Sequence, residues 1–223
     1  QPCFSPVWDT GIALYALADC GMTLKDDAVV KAAAWLRSRE SRFQGDWVRN
    51  VEGQPPFTGW CFEYNNAWYP DCDDTAMVGK ALLRIGGEEN VAASGRALDW
   101  ILAMQNSDGG WSAFDRTVER PILEHVPFAD HNAMQDPSCA DITGRALEFL
   151  RGHGLDLAHP SVDAGINFIK NRQEEDEHSD LADEGQSRDL SCKFVGLHRY
   201  RAWSSVSGKM REKHDFSTVL SQS

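Results

Sequence analysis

The chain has no run of about 18 apolar residues, which excludes a helix that crosses a bilayer. It also lacks a Cys-x-x-Cys and any Cys/His pair at zinc spacing, so a structural zinc site is excluded. The six cysteines, at 3, 20, 61, 72, 139 and 192, are scattered singly. That suits reduced, partly buried thiols of a cytosolic protein better than a secreted disulfide framework. The seven histidines, at 125, 131, 153, 159, 178, 198 and 214, show no ligand spacing, and no metal is expected. Positive charge is scarce: 22 Lys and Arg stand against 34 Asp and Glu, a net charge of −12. That balance disfavours nucleic acid as a partner. The start, Gln1-Pro2-Cys3-Phe4, has no initiator Met, charged segment or apolar core of a signal peptide, and reads as a cut edge.

What is present is ordinary globular composition, 42% apolar and 25% charged over 223 residues. It is not uniform along the chain. Residues 177–223 hold seven acids and seven bases, nine serines and no proline, so the whole negative balance lies in 1–176. Without sustained periodicity, 177–223 is expected to be a poorly ordered tail outside the main fold. Residues 1–176 form the expected domain.

That domain repeats itself. Asp9-Thr10-Gly11-Ile12-Ala13-Leu14 running to Gly21, Asp74-Thr75-Ala76-Met77-Val78 running to Gly86, and Asp141-Ile142-Thr143-Gly144-Arg145 running to Gly152 and Gly154 align with one another. Each reads as a helix opened by a capping acid or threonine and closed by glycine. A second, amphipathic helix follows each. Val29, Ala32, Ala33 and Leu36 share one face, as do Ala97, Trp100, Ile101 and Met104, and, less completely, Val162, Ile166 and Ile169. The first helix of each pair is more apolar around its circumference and is expected to form an inner layer. Repeated helix hairpins bury their faces only against neighbours, so they stack into a solenoid or close into a toroid. With inner helices parallel, Asp9, Asp73, Asp74 and Asp141 would gather at one rim.

The second repeat ends Arg96-Ala97-Leu98-Asp99-Trp100-Ile101-Leu102-Ala103-Met104-Gln105-Asn106-Ser107-Asp108-Gly109-Gly110-Trp111. This resembles the QW repeat of triterpene cyclases. Lys31 to Trp47 is a degenerate copy with Glu40 where glutamine is usual, and Ala164 to Gln173 is a third copy cut short. Tyr69-Pro70-Asp71-Cys72-Asp73-Asp74-Thr75-Ala76 resembles the DxDDTA motif of squalene–hopene cyclases. Ser5-Pro6-Val7-Trp8-Asp9-Thr10-Gly11, Pro127-Phe128-Ala129-Asp130-His131 and Asp136-Pro137-Ser138 look like further blocks of the same prokaryotic triterpene cyclase family. The resemblance is collinear from about Ser5 to Asp176. It implies an all-α fold, an incomplete α/α toroid of helix hairpins, and a chain that is a middle segment of a longer enzyme.

The chemistry implied is cyclisation of squalene to hopene or hopanol, begun by protonation of an alkene. Three acids within four residues, Asp71, Asp73 and Asp74, cannot all ionise cheaply in a dry cavity, so the set retains a proton. By the resemblance Asp73 donates it, with Asp71 and Asp74 in support, and Asp141, Arg145, Asp9 and Thr75 complete the acid network. Arg145 stands where some family members carry a histidine. Arginine is permanently charged, so it favours the donor's anion and relays no proton. Trp8, Phe62 and Phe114 fall where the family places cavity aromatics, whose faces stabilise a cation and offer no nucleophile. No cofactor is needed. Squalene is the implied substrate, and the family sits monotopically on the cytoplasmic side of the cell membrane. The resemblance leaves a homodimer open.

Rival readings exist for each element. Asp71 and Asp74 could serve as helix caps, the aromatics as core, and Arg145 in a surface ion pair. An α/α-barrel glycoside hydrolase or lyase would also use paired acids, but across a cleft and not on one helix start. The third alternative is an inactive, truncated gene product. Gln173-Glu174-Glu175-Asp176 should lead to a Gly and a Trp, and Glu177-His178-Ser179 follows instead. A frameshift or mis-called terminus near Asp176 would account for that, and reading the other two frames of the coding DNA tests it.

Overall fold

A computed structural model describes residues 4–51, 53, 55–63, 66–116 and 135–172. The block at 127–131 and the tail after Asp176 lie outside the described residues. Among those described there are six α-helices, one 3-10 turn over Asp46–Asn50 and no named strand. The helices are α1 (Pro6–Asp19), α2 (Asp27–Ser38), α3 (Cys72–Ile85), α4 (Glu88–Ala103), α5 (Ala140–Gly152) and α6 (Pro160–Asn171).

They form two layers. Helix α3 packs between α1 and α5 and is backed by α4, while α2 packs on α1 and α6 on α5. The inner layer is therefore α1, α3 and α5, and α3 buries ten of its fourteen residues. The faces expected on the outer helices are the ones buried: Val29, Ala33 and Leu36, then Ala97, Trp100, Ile101 and Met104, then Val162, Ile166 and Ile169. Ala32 is only partly buried against the same core.

Cross-helix contacts fix direction and register. Arg84 pairs with Asp19 at 3.0 Å, and Lys80 lies 4.6 Å from the Tyr15 ring centre. Both positions ascend together, so α1 and α3 run parallel. Arg145 pairs with Asp73, and Lys80 pairs with Glu148 at 2.6 Å, which makes α5 parallel to both. All three inner helices thus present their N-termini at one end.

The helices begin earlier than the acids suggested. Pro6, with its backbone already restrained near helical φ, opens α1; Asp71 caps α3, and Cys139 precedes α5. Asp9, Asp74 and Asp141 consequently sit in the first turn, where they meet the positive end of the helix dipole. At the other end the turns close on Gly21, Gly86 and Gly154, with φ of 88°, 75° and 86°, a region that a side chain disfavours.

The QW resemblance acquires a physical content here. The amide of Gln105 donates to the carbonyl of Gly109 at 2.8 Å and to that of Ser161, in α6, at 2.9 Å. It ties the second repeat to the third. At the matching position Glu40 receives Nε and Nη2 of Arg96, in α4, at 2.9 and 2.7 Å. A bidentate ion pair thus replaces an amide–carbonyl tie. Spacing selected Trp47 as the first repeat's tryptophan, but the position of Trp111 is taken by Trp60. The indole of Trp111 donates to Ile101 O and that of Trp60 to Leu36 O, each at 2.7 Å. The longer loop of the first repeat leaves Trp47 free to meet Trp100 edge-on, with ring centres 5.6 Å apart.

Candidate active site

The acid motif opens α3. Asp71 has extended backbone geometry, and its Oδ1 accepts the amide of Asp74 at 2.7 Å, so it is the helix cap. Capping uses one oxygen. The other, Oδ2, and Oδ1 of Asp74 are buried with no N–H or O–H donor from another group. Two buried carboxyls this close cannot both ionise cheaply, which favours the protonated form of one of them. Burial, reinforced by the charge of Asp74, holds Asp71 well above the usual carboxylate range. Burial also raises Asp74, to about 6.

Asp73 faces elsewhere. It pairs with the buried guanidinium of Arg145, whose Nη2 also lies 3.5 Å from Asp141. The three acids therefore divide into a buried pair held toward the protonated form and an ion-paired member. Asp141 and Arg145 are one helical turn apart on α5, so Asp141 orients the cation that reaches Asp73.

A cavity of about 350 Å³ opens in front of these groups, lined by all three acids together with Phe62, Tyr69, Phe114 and Ile142 and the shorter contributions of Glu63, Asn66 and Ala113. Two of the three aromatics named from the sequence, Phe62 and Phe114, are thus brought to the acids. Trp8 is not in that lining. Its ring instead lies 4.7 Å from the guanidinium carbon of Arg145, so the cation it faces belongs to the protein. Thr75 is buried one residue beyond the acids and bonds to Trp60. Asp9, in the first turn of α1, is exposed and accepts Ser5 Oγ at 3.0 Å; it does not enter the cavity lining.

Sequence reasoning quoted Tyr69 with the acid motif but gave it no task. It also gave no task to Asp136, beyond membership of a resembling block. Asp136 accepts the amides of Ala113 at 3.3 Å and Phe114 at 2.6 Å, and so holds the loop that carries Phe114. Burial pushes Asp136 upward too, against those backbone bonds. Among the described residues no cluster of His, Cys, Asp or Glu could hold a metal ion.

A family model described as the squalene-hopene cyclase C-terminal domain matches residues 4–179. Similar proteins include a squalene-hopene cyclase of Schizosaccharomyces japonicus, 39% identical over 184 residues, and one of Zymomonas mobilis, 36% identical over 186. Each alignment covers 79% of this chain and 28% of the relative, so the chain spans about a quarter of those proteins. A terpene cyclase-glycosyl transferase fusion protein of Humicola fuscoatra is 42% identical over 172 residues, 71% of this chain and 12% of that protein. With the family model covering most of its length, and with the acids and aromatics of the matched segment assembled at one cavity, this chain belongs to the squalene-hopene cyclase C-terminal domain family.

Proposed function

We propose that this chain supplies the proton-donating wall of a triterpene cyclase acting on squalene. In the reactive state Asp73 carries the proton and gives it to a terminal alkene carbon, leaving the anion that pairs with Arg145. The π electrons form the new C–H bond, the O–H electrons stay on Asp73, and a tertiary carbocation is left on the neighbouring carbon. Successive alkenes of the same substrate attack that cation, and loss of a proton or addition of water ends the sequence as hopene or hopanol. Arg145, fixed by Asp141 and by the face of Trp8, stabilises the Asp73 anion. The proton retained by Asp71 and Asp74 limits the negative charge that accumulates beside the donor. Phe62 and Phe114 present aromatic faces to the travelling cation and keep water away.

The observation that carries this reading is the placement of two buried acids and an ion-paired Asp73 on one aromatic-lined cavity. A lipid substrate is reached from a membrane surface, and we read the complete enzyme as monotopic on the cytoplasmic side of the cell membrane. No described helix is long and apolar enough to cross a membrane. The test is squalene turnover by a protein that carries this segment with the remaining repeats of its relatives, read as hopene or hopanol by gas chromatography. Residues 1–223 alone are expected to give no product, because the described cavity holds about 350 Å³ and leaves Phe114 half exposed. Absence of triterpene from the completed protein would overturn the assignment.

A further inference from the structure

The same hydrogen-bond pattern occurs twice, each time at the start of an inner helix. The amide of Trp60 donates to Thr75 Oγ1 at 3.0 Å, and the carbonyl of Trp60 accepts the amide of Asp71 at 2.9 Å. In the next repeat the amide of Trp111 donates to Thr143 Oγ1 at 3.0 Å, and its carbonyl accepts the amide of Cys139 at 2.9 Å. Each indole N–H reaches back to a carbonyl of the preceding outer helix, Leu36 in α2 or Ile101 in α4. All four side chains are fully buried. A glycine precedes each tryptophan, and at Gly59, with φ of 117°, a Cβ would lie 2.7 Å from Cβ of Pro70. The segment lies that close to the chain entering α3.

From this we infer that Trp60 and Trp111 are positioning residues for the acid site: each is a strut that fixes the N-terminus of an inner helix to the outer helix before it. Trp60 sets the backbone of Asp71, and through the cap sets Asp74. Trp111 sets the first turn of α5, from which Asp141 and Arg145 project toward Asp73. Neither tryptophan lines the cavity, so neither touches substrate. The two struts determine how far the acids of one repeat stand from the guanidinium of the next. This rests on the reading of Asp71, Asp73 and Asp74 as the acid site.

The test uses the full 223-residue chain and reads protonation, independently of turnover. The side-chain carboxyl carbons of aspartate are followed by 13C NMR across a pH titration, with helicity checked by circular dichroism. In the parent chain Asp74 should titrate near 6. Trp60→Phe removes the indole N–H together with part of a fully buried ring and leaves the Trp60 backbone bonds in place, and Thr75→Val removes the hydroxyl that accepts the Trp60 amide. Either loosens the first turn of α3 and admits water to the acids, so the Asp74 midpoint should fall by about one pH unit. Thr75→Ser, which keeps the hydroxyl, should restore the parent value. A folded Trp60→Phe or Thr75→Val chain with an unmoved midpoint overturns the inference. Loss of helix in both variants also overturns it, since the struts would then build the fold and not the site. A shifted titration in a protein whose completed form ignores squalene would leave the struts standing and sink the functional reading.

Discussion

The guanidinium carbon of Arg145 lies over the ring of Trp8, 4.7 Å from its centre, while its nitrogens meet Asp73 and Asp141. One cation from α5 therefore joins side chains of all three inner helices. A histidine could fill the same space and move a proton. Arginine cannot, and here its charge is permanent.

If Asp73 is the donor, Asp73→Asn in the completed protein should lower squalene turnover at least about 100-fold, the lower range for loss of a positioned acid. Asparagine keeps the volume, so substrate binding should be little changed. Steady-state kinetics separates the two, and a large rise in KM with unchanged kcat would contradict the role.

Arg145→Met should leave Asp73 and Asp141 facing a cavity wall without their cation. Removing one partner of a buried pair costs about 3–5 kcal/mol; Asp73 retains some exposure, which argues for the lower figure. Chemical denaturation of the 223-residue chain measures it. Adding Asp73→Asn to Arg145→Met should recover part of the loss, and a double-mutant cycle gives the coupling directly.

The raised value of Asp74 makes stability depend on pH. The folded chain holds its proton up to about 6, whereas the unfolded chain releases it near the ordinary 3.8. The folded state thus binds more protons in that window, and stability contributed at low pH is lost as pH rises through about 6. A difference of about 2 pH units corresponds to about 3 kcal/mol. Denaturation at about pH 4 and about pH 7 should show this fall in the parent chain and a smaller one in Asp74→Asn. Equal slopes would place the proton elsewhere.

Gly79→Ala sets two effects against each other. Within α3, alanine is the better helix former by about 1 kcal/mol. Its Cβ, however, would lie 2.7 Å from the ring of Phe149, a fully buried residue of α5. Overpacking of this kind costs about 1–3 kcal/mol, so the net change should be destabilising by up to about 2 kcal/mol. A raised thermal midpoint would mean that α3 and α5 can move apart freely.

Much of the architecture was legible in the residues. The apolar face of α4, Ala97, Trp100, Ile101 and Met104, is fixed by side-chain spacing alone and is wholly buried. Turn glycines at 21, 86 and 154 follow from the same local logic. Helix starts were less legible, because an acid reads alike as a cap or as a first-turn residue; only backbone geometry separates Asp71 from Asp74. Loop length defeated the choice of tryptophan in the first repeat, since spacing along the chain favours Trp47 while the hydrogen bonds select Trp60.

The sequence by itself determined the repeat, the two-layer character and the presence of three acids on one helix start, because each is a local pattern of side chains. Tertiary structure alone decided the partners. Which acid meets Arg145, and whether Trp8 faces the cavity or the protein's own cation, depend on contacts between residues more than sixty positions apart. Such contacts exist only once parallel helices have packed in register, and no single helix encodes them.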